Sequence, residues 1–394
     1  MLRQGIPDFG QALRALHDHA PTAVVDDLAG LAQSLGAVDV VLYLVDFEQA
    51  VLTPVPAREA HVDVPVAESV ATSRAGEVFR NRRLGVEARS EGSRVWVPVL
   101  EGPDCTGVLA LTVPGEPDAE TRGRCEELGM LAGYGISVAA RYTDLYNLVR
   151  RRKAMSLPAS MQWDLLPPLN LKVREASSCG ALEPAYDVGG DCFDHSVNGL
   201  NLDLVVMDAM GHGLGASVTS ALAMGAYRHD RREGQSVATI HGRLDRVIAK
   251  QFDGETFVTG QIARLALARG ELQLVNAGHP APLLVRGGRV VGEVACRPSL
   301  PWGLGGPLEE RVTIGLQPGD AVLFHTDGVV EGRSPAGEPF GVDRLVGIVE
   351  RVLARGGPPP SLVQDLVGEV LSFQERRLRD DATLVWLTWD GTSA

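Results

Sequence analysis

Apolar residues recur along this chain with two different periods, and the switches between them divide it into elements. From Val24 to Leu35 they fall at helical spacing and stop at Gly36, a residue suited to end a helix. From Val38 to Val45 a β-branched and apolar run predicts a strand. Two further strands are predicted at Arg94 to Val99 and Gly107 to Val113, joined by the turn-like Glu101-Gly102-Pro103-Asp104 into an antiparallel hairpin. From Asp118 to about Val149 the pattern becomes helical. Within it Leu131, Val138 and Leu145 recur every seven residues beside Leu128, Gly135, Tyr142 and Val149, as a helix–helix seam requires. A helix packed on its own domain gives the same pattern.

Pro167-Pro168 ends this connector. Downstream, strand-like runs (Leu202 to Met207, Phe257 to Ala263, Leu272 to Asn276, Ala321 to Thr326, Ala382 to Trp389) alternate with helix-like ones (Leu214 to Tyr227, Val237 to Phe252, Val342 to Leu353, Ser361 to Glu375). Consecutive strands joined by turns such as Arg269-Gly270, with helices in pairs between them, predict antiparallel sheets flanked by helices rather than a doubly wound parallel sheet. The expected organisation is a helical segment at 1–21, a mixed α+β domain at 22–140, a helical linker at 141–168 and a second α+β domain at 169–394.

Composition narrows the function. A length of 394 residues, 45% hydrophobic and 22% charged, is ordinary for two globular domains. The formal net charge of -13 argues against nucleic acid or an anionic membrane as partner, because both demand clustered Lys and Arg. The one basic block, Arg150 to Lys153, reads as a solvated stretch of helix, with partner docking as the alternative. Cysteines at 105, 125, 179, 192 and 296 are odd in number and lack a C-x-x-C pair, so neither a disulfide framework nor a zinc knuckle is indicated. A reducing cytosol fits best. Met1 to Leu16 has no basic-then-apolar leader pattern, and Leu128 to Ala140 falls short of the roughly 20 residues of a membrane span. The chain is therefore expected to be soluble and cytoplasmic.

The chemistry lies in aspartates next to glycines at the ends of apolar strands: Gly189-Gly190-Asp191, Asp208 after Leu204-Val205-Val206-Met207, Asp327-Gly328 after Val322-Leu323-Phe324, and Asp380-Asp381. Carboxylates with backbone carbonyls suit hard divalent cations such as Mg²⁺ or Mn²⁺, whereas zinc or copper would call for His and Cys. Two such cations sharing an Asp, about 3.5–4 Å apart, would polarise a bridging water for in-line attack on a phosphoryl group. No serine or cysteine nucleophile elbow is present. A single Asp-Gly is usually a turn; four such sites, each after an apolar run or a glycine pair, are harder to read that way.

These residues resemble a family. Tyr186-Asp187-Val188-Gly189-Gly190-Asp191, Asp208-Ala209-Met210-Gly211-His212-Gly213, Asn276-Ala277-Gly278-His279-Pro280, Thr326-Asp327-Gly328 and Asp380-Asp381-Ala382-Thr383 look like the motifs of the SpoIIE/RsbU branch of metal-dependent PPM-type phosphatases, in the same order and spacing. The resemblance runs from about Leu165 to Asp390. The stretch Ala154 to Pro168, with Gln162 and Leu165-Leu166-Pro167, resembles the helical lead-in to that domain, and Thr22 to Ala140 is similar in pattern to a GAF sensor domain. The implied fold is a GAF-like domain followed by an α-β-β-α sandwich. The implied activity is hydrolysis of phosphoserine or phosphothreonine on a regulatory protein of the anti-sigma-factor antagonist type, regulated by the N-terminal domain.

By the same resemblance Asp208 bridges two Mn²⁺ or Mg²⁺ ions, the Ala209 carbonyl helps hold one, Asp191 and Asp327 complete the pair, and Asp380 closes the second site, with Asp381 as its rival. Asp208 and Asp191 are the residues expected to carry catalysis. Gly189, Gly190, Gly211, Gly213 and Gly328 are expected either to adopt positive φ or to let backbone come close. His212 is a candidate general acid, although a helix-entry hydrogen bond fits it better, because the eukaryotic relatives place their histidine two residues after the aspartate and this chain has Met210 there. His279 reads as a structural turn residue, and Asp194 as a surface or capping residue. Ser217 and Ser220 lie among small residues read as packing. The segments Gly287 to Pro307 and Gly332 to Gly341 are flap-like.

Two further expectations concern assembly and signal. The heptad-like seam predicts a homodimer, and the GAF-like domain is expected to receive a small-molecule or protein signal, with Cys105 and Cys125 as candidates for redox sensitivity. The competing functional reading is a catalytically silent scaffold that binds a phosphoprotein. Intact acidic positions favour the enzyme.

Overall fold

In the computed structural model the described residues are 20–392 other than 58–64, 91, 185, 187, 188, 377 and 379, together with Arg14 and His17. The helical segment expected over 1–21 therefore lies largely outside them, as do Asp187 and Val188 of the first motif. The chain forms two compact units, 1–154 and 155–394.

The first unit is built on one antiparallel sheet. Its elements are α1 (Val24–Ala32), β1 (Val38–Val45), β2 (Val51–Pro54), β3 (Glu68–Ser69), α2 (Arg74–Asn81), β4 (Gly85–Arg89), β5 (Gly92–Glu101), β6 (Asp104–Val113), α3 (Ala119–Ala139) and α4 (Leu145–Val149). The strands are ordered β3-β2-β1-β6-β5-β4. The expected hairpin is β5–β6, with Glu101 opposite Asp104. Alternation along each strand divides the side chains between two faces: Val40, Leu42, Leu44, Val95, Val97, Leu109 and Leu111 pack with α1 and α3, while Val41, Tyr43, Val45, Trp96, Val108 and Ala110 meet α2.

Three sequence expectations change here. The helical run does not continue to Val149; it breaks between Ala139 and Leu145. Nor do the heptad positions form one seam, since Leu128 and Leu131 are buried in their own unit's core whereas Val138 and Tyr142 are exposed. The exposed line on α3 is instead Met130, Tyr134 and Val138, spaced by four and so set along one face. The basic block is not a solvated helix either. Arg150 Nε donates to the Val45 carbonyl and its guanidinium lies over the Phe47 ring. Arg152 reaches Asp46 and Glu48, and Lys153 pairs with Glu48 at 3.1 Å. The reason is Asp46, which is fully buried and whose carboxyl is pushed up by burial, so nearby cations lower its cost.

All five cysteines are free thiols. Burial pushes Cys105 up to about 12 and Cys125 up to about 11, which keeps both in the unreactive protonated form.

The second unit is a four-layer α-β-β-α sandwich. It comprises α5 (Leu157–Leu165), β7 (Asn170–Lys172), β8 (Ala176–Glu183), β9 (Asp191–Asn198), β10 (Asn201–Ala209), α6 (Leu214–Arg232), α7 (Val237–Phe252), β11 (Val258–Ala266), β12 (Glu271–Ala277), β13 (Leu283–Arg286), β14 (Arg289–Glu293), β15 (Val312–Gly315), β16 (Ala321–His325), α8 (Asp327–Val330), α9 (Val342–Arg355), α10 (Pro359–Phe373) and β17 (Ala382–Trp389). One sheet runs β15-β12-β11-β10-β9 and the other β14-β13-β16-β17-β8-β7; every strand pair is antiparallel.

Period-two alternation assigns the layers. Leu202, Leu204 and Val206 face the space between the sheets with Val322, Phe324, Val385 and Leu387. Their neighbours Val205 and Met207 turn outward to α6 and α7, and Leu323, Leu384 and Trp386 turn outward to α9 and α10. The two flap-like segments are pinned down. Trp302 is fully buried and donates through Nε1 to His241 on α7, while the backbone N–H groups of Gly303 and Gly305 both bond to Asp245 Oδ1. The loop from Gly332 closes on itself through Phe340 N to Gly332 O, with Phe340 in the core beneath α9 and α10.

Candidate active site

The same alternation that builds the core delivers the acids. Asp208 continues the inward set Leu202, Leu204, Val206, and it is paired in register with Asp191, which shares its face with the inward Phe193. On the opposite sheet Thr326 follows Val322 and Phe324 by the same parity, and Thr383 precedes Val385 and Leu387. Both threonine hydroxyls donate to Asp191 Oδ2, each at 2.7 Å. Thr383 N in turn donates to Thr326 Oγ1 at 2.9 Å. Asp191 thus ties the two sheets together at the rim where the acids gather.

Asp380 and Asp381 immediately precede β17, and Asp327 opens α8, a single turn of helix. The doublet divides its labour. Asp380 is exposed, whereas Asp381 is 2% exposed. Asp381 Oδ2 accepts from Gly190 N at 2.7 Å, Asp191 N at 3.1 Å and Gln162 Nε2 at 3.2 Å. Its Oδ1 is buried without a partner.

Electrostatics show how the acids are grouped. Asp208 is pushed up to about 8, first by burial and then by Asp327, Asp380 and Asp381. Asp191 is pushed up by burial, then by Asp208 and Asp381. Asp327 is raised by burial and then by Asp380, and Asp381 reaches about 6 through burial. Asp208 is therefore within electrostatic reach of the other four carboxylates, and Asp380 acts on both Asp327 and Asp381. As the side chains stand, no three His, Cys, Asp or Glu among the described residues meet closely enough to hold an ion. Asp191 and Asp381 each have one oxygen engaged by donors of the protein.

The glycines serve two separate purposes. Gly211 and Gly213 have φ of +88° and +73°, where a side chain is strained. Gly190 and Gly328 are needed for space: a Cβ at 190 would stand 3.0 Å from the Ala209 carbonyl oxygen and 3.3 Å from Asp208 Oδ1, and one at 328 would press into the Asp381 carbonyl.

Four side chains that support the site were given no site role by the sequence, although two of them stand in the quoted motifs. They are Thr326, Thr383 and, on α6, Ser217 and Ser220. Ser217 Oγ donates to the Gly189 carbonyl at 2.7 Å and Ser220 Oγ to the Gly190 carbonyl, so these residues hold the glycine pair and are more than packing. Asp194 is neither a surface residue nor a cap: it is 3% exposed and paired with Arg228 and Arg231 of α6. His279 is buried, with Nδ1 at 2.9 Å from Thr259 Oγ1, and its turn is closed by Asn276 on both sides. Burial first, then His325, pushes it down to about 3, so it stays neutral. His212 is exposed on the Gly211–Gly213 loop.

Residues 198–390 match the family described as Stage II sporulation protein E (SpoIIE). The second unit is a SpoIIE-type PPM phosphatase domain. The matched stretch contains Asp208, Asp327, Asp380 and Asp381; Asp191 lies just before it and is paired in register with Asp208. Similar solved structures include the RsbU and RsbW domains of a Mycobacterium tuberculosis protein, at 25% identity over 57% of this chain and 63% of that one, with TM-score 0.48. The SiaA-PP2C domain of Pseudomonas aeruginosa is 20% identical over 59% of this chain and 94% of its own, with TM-score 0.49. The phosphatase domain and regulatory fragment of SpoIIE from Bacillus subtilis is 19% identical over 56% of this chain and 64% of its own, with TM-score 0.47. The match thus spans less than two thirds of the Mycobacterium and Bacillus chains. Among the described residues no helix is long and apolar enough to cross a membrane.

Proposed function

We propose that the protein is a metal-dependent phosphatase that removes phosphate from serine or threonine of a regulatory protein. The observation that carries this reading is the gathering of five carboxylates at one rim of the sandwich, with Asp208 in reach of the other four. The donor set fits a pair of hard divalent cations, Mn²⁺ or Mg²⁺: it is made of oxygen alone, Asp381 keeps a buried oxygen without a partner, and Gly190 leaves room beside the Ala209 carbonyl. In this reading Asp208 would be shared by the two ions, Asp191, Asp327, Asp380 and Asp381 would complete their ligands, and the Ala209 carbonyl would assist. Bound there, the cations would supply charge to polarise a water and to neutralise phosphoryl oxygens.

The chain's own part is preorganisation. Thr326 and Thr383 fix the Asp191 carboxyl, the Gly190 and Asp191 amides fix Asp381, and Ser217 and Ser220 hold the glycine pair, so these two acids and the backbone beside them are held before substrate arrives. The anti-sigma-factor antagonist as substrate, the GAF-like sensor role of the first unit and a cytoplasmic setting follow from the family resemblance and the chain's composition. A homodimer would use the exposed line Met130, Tyr134 and Val138 in place of the heptad seam.

The test is phosphate release from an aryl phosphate by the full chain with Mn²⁺ or Mg²⁺, with EDTA, and with Asp208→Asn. Turnover that requires metal and falls by at least about 10²-fold in the variant is expected. A folded protein that binds phosphoprotein but shows no metal-dependent turnover in any form would instead favour the silent scaffold.

A further inference from the structure

Helix α5 is the first element of the second unit, and it sends one polar side chain into the acid site. Gln162 is 3% exposed. Its Nε2 donates to the Asp191 carbonyl oxygen at 2.7 Å and to Asp381 Oδ2 at 3.2 Å. Its Oε1 is buried with no partner. A buried amide that leaves its acceptor unsatisfied is a poor choice for packing, since an apolar side chain of the same length would carry no such penalty. What distinguishes Gln162 from an apolar residue at this position is therefore its donor.

That donor completes the set of three on Asp381 Oδ2, which determines which oxygen of Asp381 is left free. Through the Asp191 carbonyl the same amide also holds the start of β9, where the carboxylate paired with Asp208 is mounted. The helix that carries Gln162 is fixed at both ends. Ser156 caps it and takes a backbone bond to Tyr186, while Arg228, itself paired with Asp194, donates to the Leu165 carbonyl.

We infer that Gln162 is a positioning residue that clamps Asp381 and the Asp191 backbone, so that α5 sets how tightly the acid site takes up divalent cation. This rests on the metal-site reading above. Partners of this kind, one step removed from the ligands, are generally worth about 10–100-fold in metal affinity.

The experiment is a calorimetric Mn²⁺ titration of the full chain as wild type, Gln162→Leu and Asp208→Asn, joined to the Mn²⁺ dependence of aryl phosphate hydrolysis. Thermal melting in EDTA establishes that each variant is folded, and Gln162→Met serves if the leucine is not tolerated. The expected result is a roughly 10–100-fold weaker Mn²⁺ site in the Gln162 variant, with turnover at saturating Mn²⁺ falling far less than the affinity. Wild-type Mn²⁺ affinity in the folded variant, or lost turnover that excess Mn²⁺ does not restore, overturns the inference while Asp208→Asn still confirms the metal site. If wild type and Asp208→Asn are equally unable to bind Mn²⁺, the metal reading fails and this inference fails with it.

Discussion

Gly328→Ala tests whether backbone proximity, rather than turn flexibility, is what the Asp-Gly of α8 provides. Its φ is not among the positive ones, so an alanine there meets no backbone strain. It meets the next segment instead. The added Cβ stands 2.9 Å from the Asp381 carbonyl carbon, closer still to its oxygen, and 3.5 Å from Asp380 Cβ. Carbon atoms in contact ordinarily keep about 3.5–4 Å, so the backbone at Asp381 must withdraw by roughly 1 Å. That displacement acts on the doublet itself, and misplacement of about 1 Å is worth on the order of 10²-fold in rate.

Overpacking should also cost about 1–3 kcal/mol of stability. The expected result is kcat/KM on an aryl phosphate reduced about a hundred-fold at saturating Mn²⁺, with a lower melting temperature. Gly347→Ala supplies the control, because it lies within α9 with nothing within 4 Å of the added methyl. It should leave activity unchanged and raise stability by about 0.5–1 kcal/mol. A Gly328→Ala enzyme with wild-type kinetics and melting would refute the reasoning.

Two other predictions use features away from the acids. His195 is buried between Ser178 Oγ and the Pro168 carbonyl, and burial pushes it down from 6.5 to about 4. The unfolded chain therefore binds the proton more readily, so stability is complete above pH 6.5 and is lost as pH falls toward 4, by on the order of 3 kcal/mol. Urea unfolding between pH 7 and 4.5 should show a smaller acid loss for His195→Gln than for wild type, and identical slopes would exclude this origin. For the homodimer, Tyr134→Glu places a charge in the exposed line on α3, and sedimentation should show a shift to monomer at micromolar protein; a wild type already monomeric there sinks the dimer.

What the sequence determined is what local pattern and covalent order can encode. The alternation in Leu202–Met207 already required one face toward a core, and an aspartate two residues beyond the inward Val206 had to emerge at the rim of that core. The order of the acidic motifs was equally plain, because each is contiguous, and so were antiparallel sheets flanked by helices, because turns and apolar periods are short-range features; the stacking of the sheets into a sandwich came from the family resemblance.

What the sequence did not determine is which distant residues meet. Thr326 and Thr383 gain their role only when two sheets stack and bring β16 and β17 over Asp191. The heptad spacing of Leu131, Val138 and Leu145 looked like a seam, yet Leu131 was claimed by the core of its own unit and Val138 was not. The basic block was drawn in by an acid buried about a hundred residues earlier, Asp46. Asp381, the lesser choice of its pair by motif, is the buried one, because its oxygen satisfies backbone N–H groups some 190 residues away. Hydrogen bonds and buried charges act through distances of a few ångströms, and only the folded chain decides which groups those distances join.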